Sequence, residues 1–309
     1  MGIFVLGSFM MDLVVRAIRA PEAGETVIGE SFGRFPGGKG ANQAVAAARL
    51  GGKVMMAGKL GRDMFGQEML SAVQREHVDT RHIISMDDVP TGIGSVVLDR
   101  SGQNRIIVVP GANMSYTLDE VNRLESDIRQ ADLLIMQLEM ELSVVERAAE
   151  LAASHGVPVM LNPAPARQLS DALLRNVSYL TPNESELELL SGMPVRNMND
   201  AELAGRSLLA RGVQCVIVTL ADKGALICHR GGCQHVEGYA VEPVDTVAAG
   251  DSFNGALAVQ LVQGVPLAEA VRFANAVGAL TVTKEGAIPS LPTLGEVERF
   301  MNVKAVEQP

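Results

Sequence analysis

Residues 244–258 read VDTVAAGDSFNGALA and set one carboxylate, Asp251, among alanines and glycines where a helical pattern begins. A turn of small residues entering a helix leaves several backbone N–H groups without partners, and the helix dipole adds positive potential there. Ala248, Ala249 and Gly250 carry nothing bulky enough to keep a ligand away from those amides, a combination that suits a phosphate. A carboxylate at the same spot would ordinarily repel that anion. It has a use if a hydroxyl must lose its proton while attacking the phosphate, and Asp251 is then a general base. It also fits an N-cap that satisfies orphan amides of the helix SFNGALAVQLVQG, and the segment on its own leaves both readings open.

Two further segments carry donors and acceptors. FPGGKGANQAVAAARLGG, residues 35–52, approaches with Gly33 the phosphate-loop pattern G-x-x-x-x-G-K, yet Gly40 stands where that loop needs a hydroxyl for magnesium. It also follows strand-like segments that do not belong to the central alternation, so the phosphate-loop reading is rejected. What remains is a glycine turn at Gly38 with Lys39 and Asn42 at the start of an alanine-rich helix, either aimed at sugar hydroxyls or simply a tight turn with a solvated lysine. In TPNESELELLSGMPV, residues 181–195, Asn183 and Glu186 have capping-box spacing. The same pair sets an amide oxygen and a carboxylate at the end of a strand, where hydrated magnesium can be held beside a nucleotide. Glu139, closing LLIMQLE, and the turn NPAPA at 162–166 end strands at the same edge.

The elements that must position these groups follow an alternating pattern. Buried strands are expected at 3–7, 53–58, 132–138, 157–163, 178–182 and 214–220, where short β-branched or apolar runs occur. Between them, ANQAVAAARL, FGQEMLSAVQREH, SVVERAAELAASH and AELAGRSLLARG repeat apolar residues at helical spacing. The alternation predicts an α/β fold: a doubly wound, mostly parallel sheet with helices on both faces. Residues 12–36 and 91–109 break it with strand-like alternation and no helix between, which predicts a small separate sheet near the strand ends where open α/β sheets bind ligands. A lid and a decorative hairpin both fit that pattern.

Composition narrows the partners. The chain has 309 residues, 47% hydrophobic and 20% charged, with net charge −10 and no basic cluster interleaved with aromatics, which argues against a nucleic-acid partner. Three cysteines, Cys215, Cys228 and Cys233, suggest neither a disulfide framework nor paired zinc ligands, so a reducing cytoplasm is expected. The start MGIFVLGSFMMD lacks the pattern of an export signal or a myristoylation site, and no window has about 20 apolar residues to span a bilayer, so no membrane association is expected. The five histidines are scattered without metal spacing and read as surface groups.

Taken in order from Val5 to about Pro292, PGGKGANQAVAAARLG, LLIMQLE, LNPAPAR, LTPNESELELL and VDTVAAGDSFNGALA resemble the ribokinase family of ATP-dependent carbohydrate kinases. The resemblance implies one kinase domain over 1–309 with lid segments at about 12–36 and 91–109, and a homodimer formed through the β lid. It implies that a sugar hydroxyl attacks the γ-phosphate of ATP, with Asp251 as base and the amides of Ala248, Ala249 and Gly250 as the anion hole. Asp12, Gly38, Lys39, Asn42 and Glu139 match sugar-contacting positions. Asn183 and Glu186 match the motif acting on Mg2+ and phosphates, and residues 219–224, including Thr219, Ala221 and Gly224, match the nucleotide pocket together with Asn275. Ala221 stands where the family usually has Gly. Activation by K+ is also implied: Asp245 and Ser290 would give side-chain oxygens, and Val247, Thr281, Lys284 and Gly286 would give carbonyls.

One departure bears on the substrate. Where ribokinases typically read G-S-x-N-x-D, this chain has GSFMMD, so Met10 replaces an Asn that would hydrogen-bond a sugar hydroxyl. Burying that hydroxyl against a thioether costs on the order of 1–3 kcal/mol. Deoxyribokinases, close relatives within the family, resemble this chain here and also carry Met. The substitution points to 2-deoxy-D-ribose phosphorylated on its 5-hydroxyl with ribose as a second substrate, unless Met10 only fills an apolar gap and ribose stays preferred.

Overall fold

The computed structural model describes residues 2–100 and 103–307; Ser101 and Gly102 of the expected lid segment, and Met1, Gln308 and Pro309 of the expected 1–309 domain, lie outside the described residues. In chain order the first half runs β1 (Ile3–Leu6), β2 (Met10–Ala17), β3 (Ser31–Gly37), α1 (Lys39–Arg49), β4 (Val54–Gly61), α2 (Met64–Arg75), β5 (Asp79–Met86), β6 (Ile93–Asp99) and β7 (Asn104–Val109). Then follow α3 (Leu118–Arg123), α4 (Glu125–Gln130), β8 (Leu133–Met136), α5 (Leu142–Ser154), β9 (Val159–Leu161), α6 (Asp171–Arg175), β10 (Tyr179–Leu180), α7 (Glu184–Ser191) and α8 (Met198–Ala210). The chain closes with β11 (Cys215–Thr219), β12 (Ala225–His229), β13 (Gly232–Val236), α9 (Ala249–Val262), α10 (Leu267–Thr281) and α11 (Leu294–Glu307).

Nine strands form one sheet in the order β13-β12-β11-β10-β9-β8-β1-β4-β5. It is parallel from β5 to β11, and β12 and β13 are added antiparallel. The pleat explains how the sheet is covered on both faces. Ile3 and Val5 of β1, with Leu133 and Ile135 of β8, pack into an apolar cluster with α1, α2, α9, α10 and α11. Their neighbours Phe4, Leu6, Leu134 and Met136 point the other way, into a second cluster with α3 to α8. All six expected strands are present. The edge strand β5 and the hairpin β12–β13 were not expected; β5 is half-buried along most of its length, so it offers no continuous apolar run.

A second sheet has the order β3-β2-β6-β7. The β2–β3 and β6–β7 pairs are antiparallel, while the central β2–β6 pair is parallel. Only residues 7–9 separate β2 from β1, so this lid rises directly from the carboxyl end of a central strand. The two expected lid segments supply all four of its strands, extended by a few residues to begin at Met10 and end β3 at Gly37.

Cysteine spacing alone suggested no pairing, and the β12–β13 register corrects this. Cys228 and Cys233 are directly opposed across the hairpin with Cα atoms 4.2 Å apart, and their sulfurs form a disulfide; Cys215 is free and buried. Among the described residues no helix is long and apolar enough to cross a membrane.

The contact that most constrains the layout is the packing of α1 on α9. A Cβ at Gly255 would lie 2.7 Å from the Ala46 methyl and 2.8 Å from the Gln43 carbonyl oxygen, so only glycine permits this approach. Gly255→Val should therefore force the two helices apart. We expect a stability loss of about 1–3 kcal/mol, together with a fall in turnover larger than the loss of folded protein, measured by denaturant unfolding and steady-state kinetics on the same samples. Native-like values of both would show that the seam tolerates expansion.

Candidate active site

Strand β1 lies between β4 and β8, and the chain winds outward from it in both directions, which puts a topological switch point beside its carboxyl end. Ser8, Glu139, Asn162 and Asn183 follow the carboxyl ends of β1, β8, β9 and β10, so the sheet delivers them to one edge. Helix α1 enters this edge from the lid. Its N-cap is Gly38 at φ 92°, where a Cβ would lie 2.5 Å from the Met10 nitrogen, so a side chain is excluded by both space and backbone conformation. Glu139 accepts from the Ser8 hydroxyl and from the Lys39 N–H (3.2 Å) and thereby ties α1 to the end of β8.

The open question about Asp251 is resolved by the start of α9. The N-cap is Ala248, in the left-handed region at φ 61°, and no side chain caps the helix. Asp251 sits three residues further on, 7% exposed, with Oδ2 accepting from Asn42 Nδ2 (2.8 Å) and Oδ1 from Gln43 Nε2 (3.0 Å). The capping reading is thus overturned, because this carboxylate turns inward to two side-chain amides of α1. Ahead of it Gly250 is exposed and faces open space. The first turn therefore offers backbone donors beside a recessed carboxylate, an arrangement able to hold a phosphoryl group next to a proton acceptor.

Four acids surround one lysine. Burial pushes Asp12 up to about 7, and the charges of Glu139, Asp251 and Asp245 add to the effect while Lys39 opposes it. Burial likewise raises Glu186. Burial opposes the charge on Lys39, but Asp251, Glu139, Glu186 and Asp12 hold its ammonium above the ordinary lysine value. Met10 and Asp12 are two residues apart on β2 and so share a face. Met10 is 5% exposed, and among the described residues it is the one buried apolar side chain larger than alanine that joins neither apolar cluster.

At the neighbouring strands, Asn183 and Glu186 form the expected capping box: Glu186 N–H donates to Asn183 Oδ1 (2.8 Å) and Asn183 N–H to Glu186 Oε2 (2.9 Å). The box uses only Oε2 of Glu186, so capping does not occupy its Oε1. Thr219 ends β11 and bridges to Asn183, and a short turn at Ala221–Lys223 follows. Ala221 has φ 54°, the left-handed conformation that explains why glycine suits this position and that costs alanine about 1–2 kcal/mol. Gly224 packs against the Val236 carbonyl, and Asn275 Nδ2 donates to the carbonyls of Val236 (3.2 Å) and Glu237 (3.0 Å). Thr219, Ala221 and Gly224 thus follow one another along the turn next to Asn183, and Asn275 is tied to the Val236 carbonyl that Gly224 approaches.

Of the six residues expected around a monovalent cation, Asp245 and Val247 lie in the loop before α9, Thr281 ends α10, and Lys284, Gly286 and Ser290 follow it. Asp245 joins the two segments, accepting from Val247 N–H (3.0 Å) and Gly286 N–H (2.9 Å). Ser290 donates to the Ala287 carbonyl, and the Lys284 ammonium turns away to Glu296. The buried Thr281 hydroxyl donates to Ser252 Oγ (2.8 Å), which donates to the Ala249 carbonyl (2.9 Å). The groups expected to hold the cation are all oxygens, which is the chemistry that suits a hard cation. Ser8, Gln43 and Asn162 were missed in the sequence; all three lie inside quoted motifs, but nothing in spacing alone set them apart.

A model of the "pfkB family carbohydrate kinase" matches residues 2–294. The chain is 41% identical to a ribokinase of Haemophilus influenzae over 297 residues, covering 96% of this chain and 97% of that one. It is 35% identical to a deoxyribokinase of Salmonella typhi over 304 residues, covering 98% and 99%. The structure of an Arabidopsis thaliana ribokinase complexed with ribose and ATP superposes with a TM-score of 0.91 at 33% identity, covering 97% of this chain and 98% of that one.

The raised Asp12 has a measurable consequence in the free protein. Between the ordinary aspartate range and about pH 7 the folded state holds a proton that the unfolded chain has released, so stability falls as pH rises through this window. Asp12→Asn removes the effect. The melting temperature of Asp12→Asn minus that of the native protein should grow from pH 5 to pH 8; parallel curves would contradict it.

Proposed function

Because the chain belongs to the pfkB family of carbohydrate kinases, we propose that it transfers the γ-phosphate of ATP to the 5-hydroxyl of a pentose, chiefly 2-deoxy-D-ribose, with D-ribose also accepted. The observation that carries this reading is the recessed Asp251, held by two amides beside the open first turn of α9. Asp251 takes the proton of the 5-hydroxyl as it attacks. The amides of Ala248, Ala249 and Gly250 meet the negative charge on the transferring phosphoryl, and Lys39 adds a cation from the adjoining helix. Asp12, Asn42 and Glu139 receive or donate hydrogen bonds to the remaining sugar hydroxyls, Asp12 in its charged form, with Gly38 giving the backbone room to approach.

Asn183, Thr219, Ala221, Gly224 and Asn275 form the nucleotide side. Mg2+, when bound near Glu186, neutralises charge on the phosphates. A monovalent cation, K+, fits the oxygen-lined loops of Asp245, Val247, Thr281, Lys284, Gly286 and Ser290. The Thr281–Ser252–Ala249 hydrogen bonds would pass the rigidity of those loops to the anion-hole turn. The lid leaves Phe32, Ile106 and Ile107 exposed, which supports a homodimer through this sheet. A cytoplasmic setting matches the sugar and nucleotide substrates.

The preference for the deoxy sugar rests on Met10, buried on the Asp12 face and offering no hydrogen bond. The 41% identity to a ribokinase favours a second reading in which ribose is the main acceptor. A comparison of kcat/KM separates them. Met10→Asn should shift the ratio toward ribose by about tenfold or more, and a native enzyme already favouring ribose tenfold would reject the deoxyribose reading.

Asp251→Ala should lower kcat by about 10²–10⁴-fold while leaving pentose affinity, read by calorimetry, nearly intact. Appreciable residual turnover would remove Asp251 from its role.

A further inference from the structure

Gln43 is fully buried one turn inside α1, and every hydrogen-bonding direction of its carboxamide nitrogen is used. One N–H goes to Asp251 Oδ1 (3.0 Å) and the other to Asn162 Oδ1 (3.2 Å). Its carbonyl oxygen accepts from Gln137 Nε2 (2.7 Å), and Asn162 is itself fixed through its amide to the Thr181 carbonyl (3.2 Å). Gln137 follows β8, Asn162 follows β9 and Thr181 follows β10. This wiring leaves the Gln43 amide one orientation. If it were turned over, its oxygen would face the oxygens of Asp251 and Asn162, and its NH2 would face the NH2 of Gln137.

We propose that Gln43 is the positioning residue of the phosphoryl-transfer site: locked by Gln137 and Asn162, its amide aims the Asp251 carboxylate at the attacking hydroxyl. The proposal rests on the reading of Asp251 as the base. An amide suits this task better than an acid or a lysine, since it stabilises a carboxylate without titrating or donating a proton to it. Asn42 grips the other oxygen but borders the expected sugar position, whereas Gln43, with no exposure, acts only through Asp251. The charged groups facing Asp251 are Lys39 from α1, Asp12 from β2 and Glu186 from α7, with Glu139 after β8 next to Lys39 and Asp245 beyond Asp12.

The test is the pH profile of kcat for two variants, with the KM of ATP measured alongside. Gln43→Glu sets a second carboxylate against Asp251, and the two must share a proton. The acid limb should move upward by about one unit or more, with activity recovering as pH rises. Gln43→Met keeps the length but not the donor, and kcat should fall about 10- to 100-fold with the KM of ATP unchanged within about twofold. A purely structural role would lower the melting temperature and leave the acid limb in place. Both variants showing native kcat and a native acid limb would overturn the proposal.

Should neither variant fold, the side-chain amide ¹⁵N resonance of Gln43 in the native protein decides. It should follow the acid limb of kcat and lose that response in Asp251→Asn; a resonance indifferent to pH sinks the idea. Substantial turnover by Asp251→Asn would remove the base itself, a failure separate from that of the Gln43 contact.

Discussion

The site depends on one close approach, that of α1 to α9. Asp251 and Gly255 are four residues apart and so lie on one face of α9, while Asn42, Gln43 and Ala46 share the facing side of α1. With glycine opposite alanine the helices come near enough for both amides to reach the carboxylate. A buried carboxylate without hydrogen-bond partners would be too costly to keep charged. Lysine or arginine at the same distance would stabilise the charge more strongly and so make the carboxylate a weaker proton acceptor. Neutral amides hold the acid in place and leave its remaining lone pairs for a hydroxyl.

The same economy shapes the surrounding charge. Asp12, Glu139, Glu186 and Asp251 act on a single ammonium, Lys39, and burial works against the charged forms of Asp12, Glu186 and Lys39. Such a cluster is poorly balanced in the free protein. The imbalance is relieved by ligand groups with protons to donate, such as sugar hydroxyls, and by cations accompanying a nucleotide. The chain thus keeps acceptors concentrated at a switch point that the sheet builds by topology, and the lid strand β2 brings Asp12 and Met10 to that point from above.

Much of this is legible in the amino-acid sequence. Alternating apolar runs gave the six inner strands, because residues buried on both faces leave an unbroken signature, and the lid was marked by strand pattern without intervening helices. The edge strand β5, with mixed burial, and the β12–β13 hairpin carried no such mark. Asp251 shows the limit most clearly. Its local sequence permits a cap, and what excludes that role is a pair of amides more than 200 residues away. Gln43 was hidden for the same reason: in sequence it is one polar residue in an alanine-rich helix, and only the meeting of α1 with α9 and the ends of β8 and β9 gives it partners. The cysteine pair was missed because hairpin register, and not spacing, decides whether two thiols face each other.

Helix α1 also ties the site together at its far end. Arg49, in its last turn, is held by Glu76 in a bidentate pair and donates to the carbonyls of Ile288 (2.9 Å) and Leu291 (2.6 Å). Those carbonyls belong to the segment that contains Gly286 and Ser290, and Gly286 is joined through Asp245 to the loop leading into α9. A single helix thus grips the first turn of α9 directly at one end and, at the other, grips the loop that supports that turn. Because its two attachments are separated by only about 1.5 Å per residue along a rigid rod, a shift in the 286–291 loop cannot leave the geometry around Asp251 unchanged unless Arg49 lets go. The placement of Asp251 and the state of the neighbouring loops are therefore one mechanical problem, solved by the same eleven-residue helix.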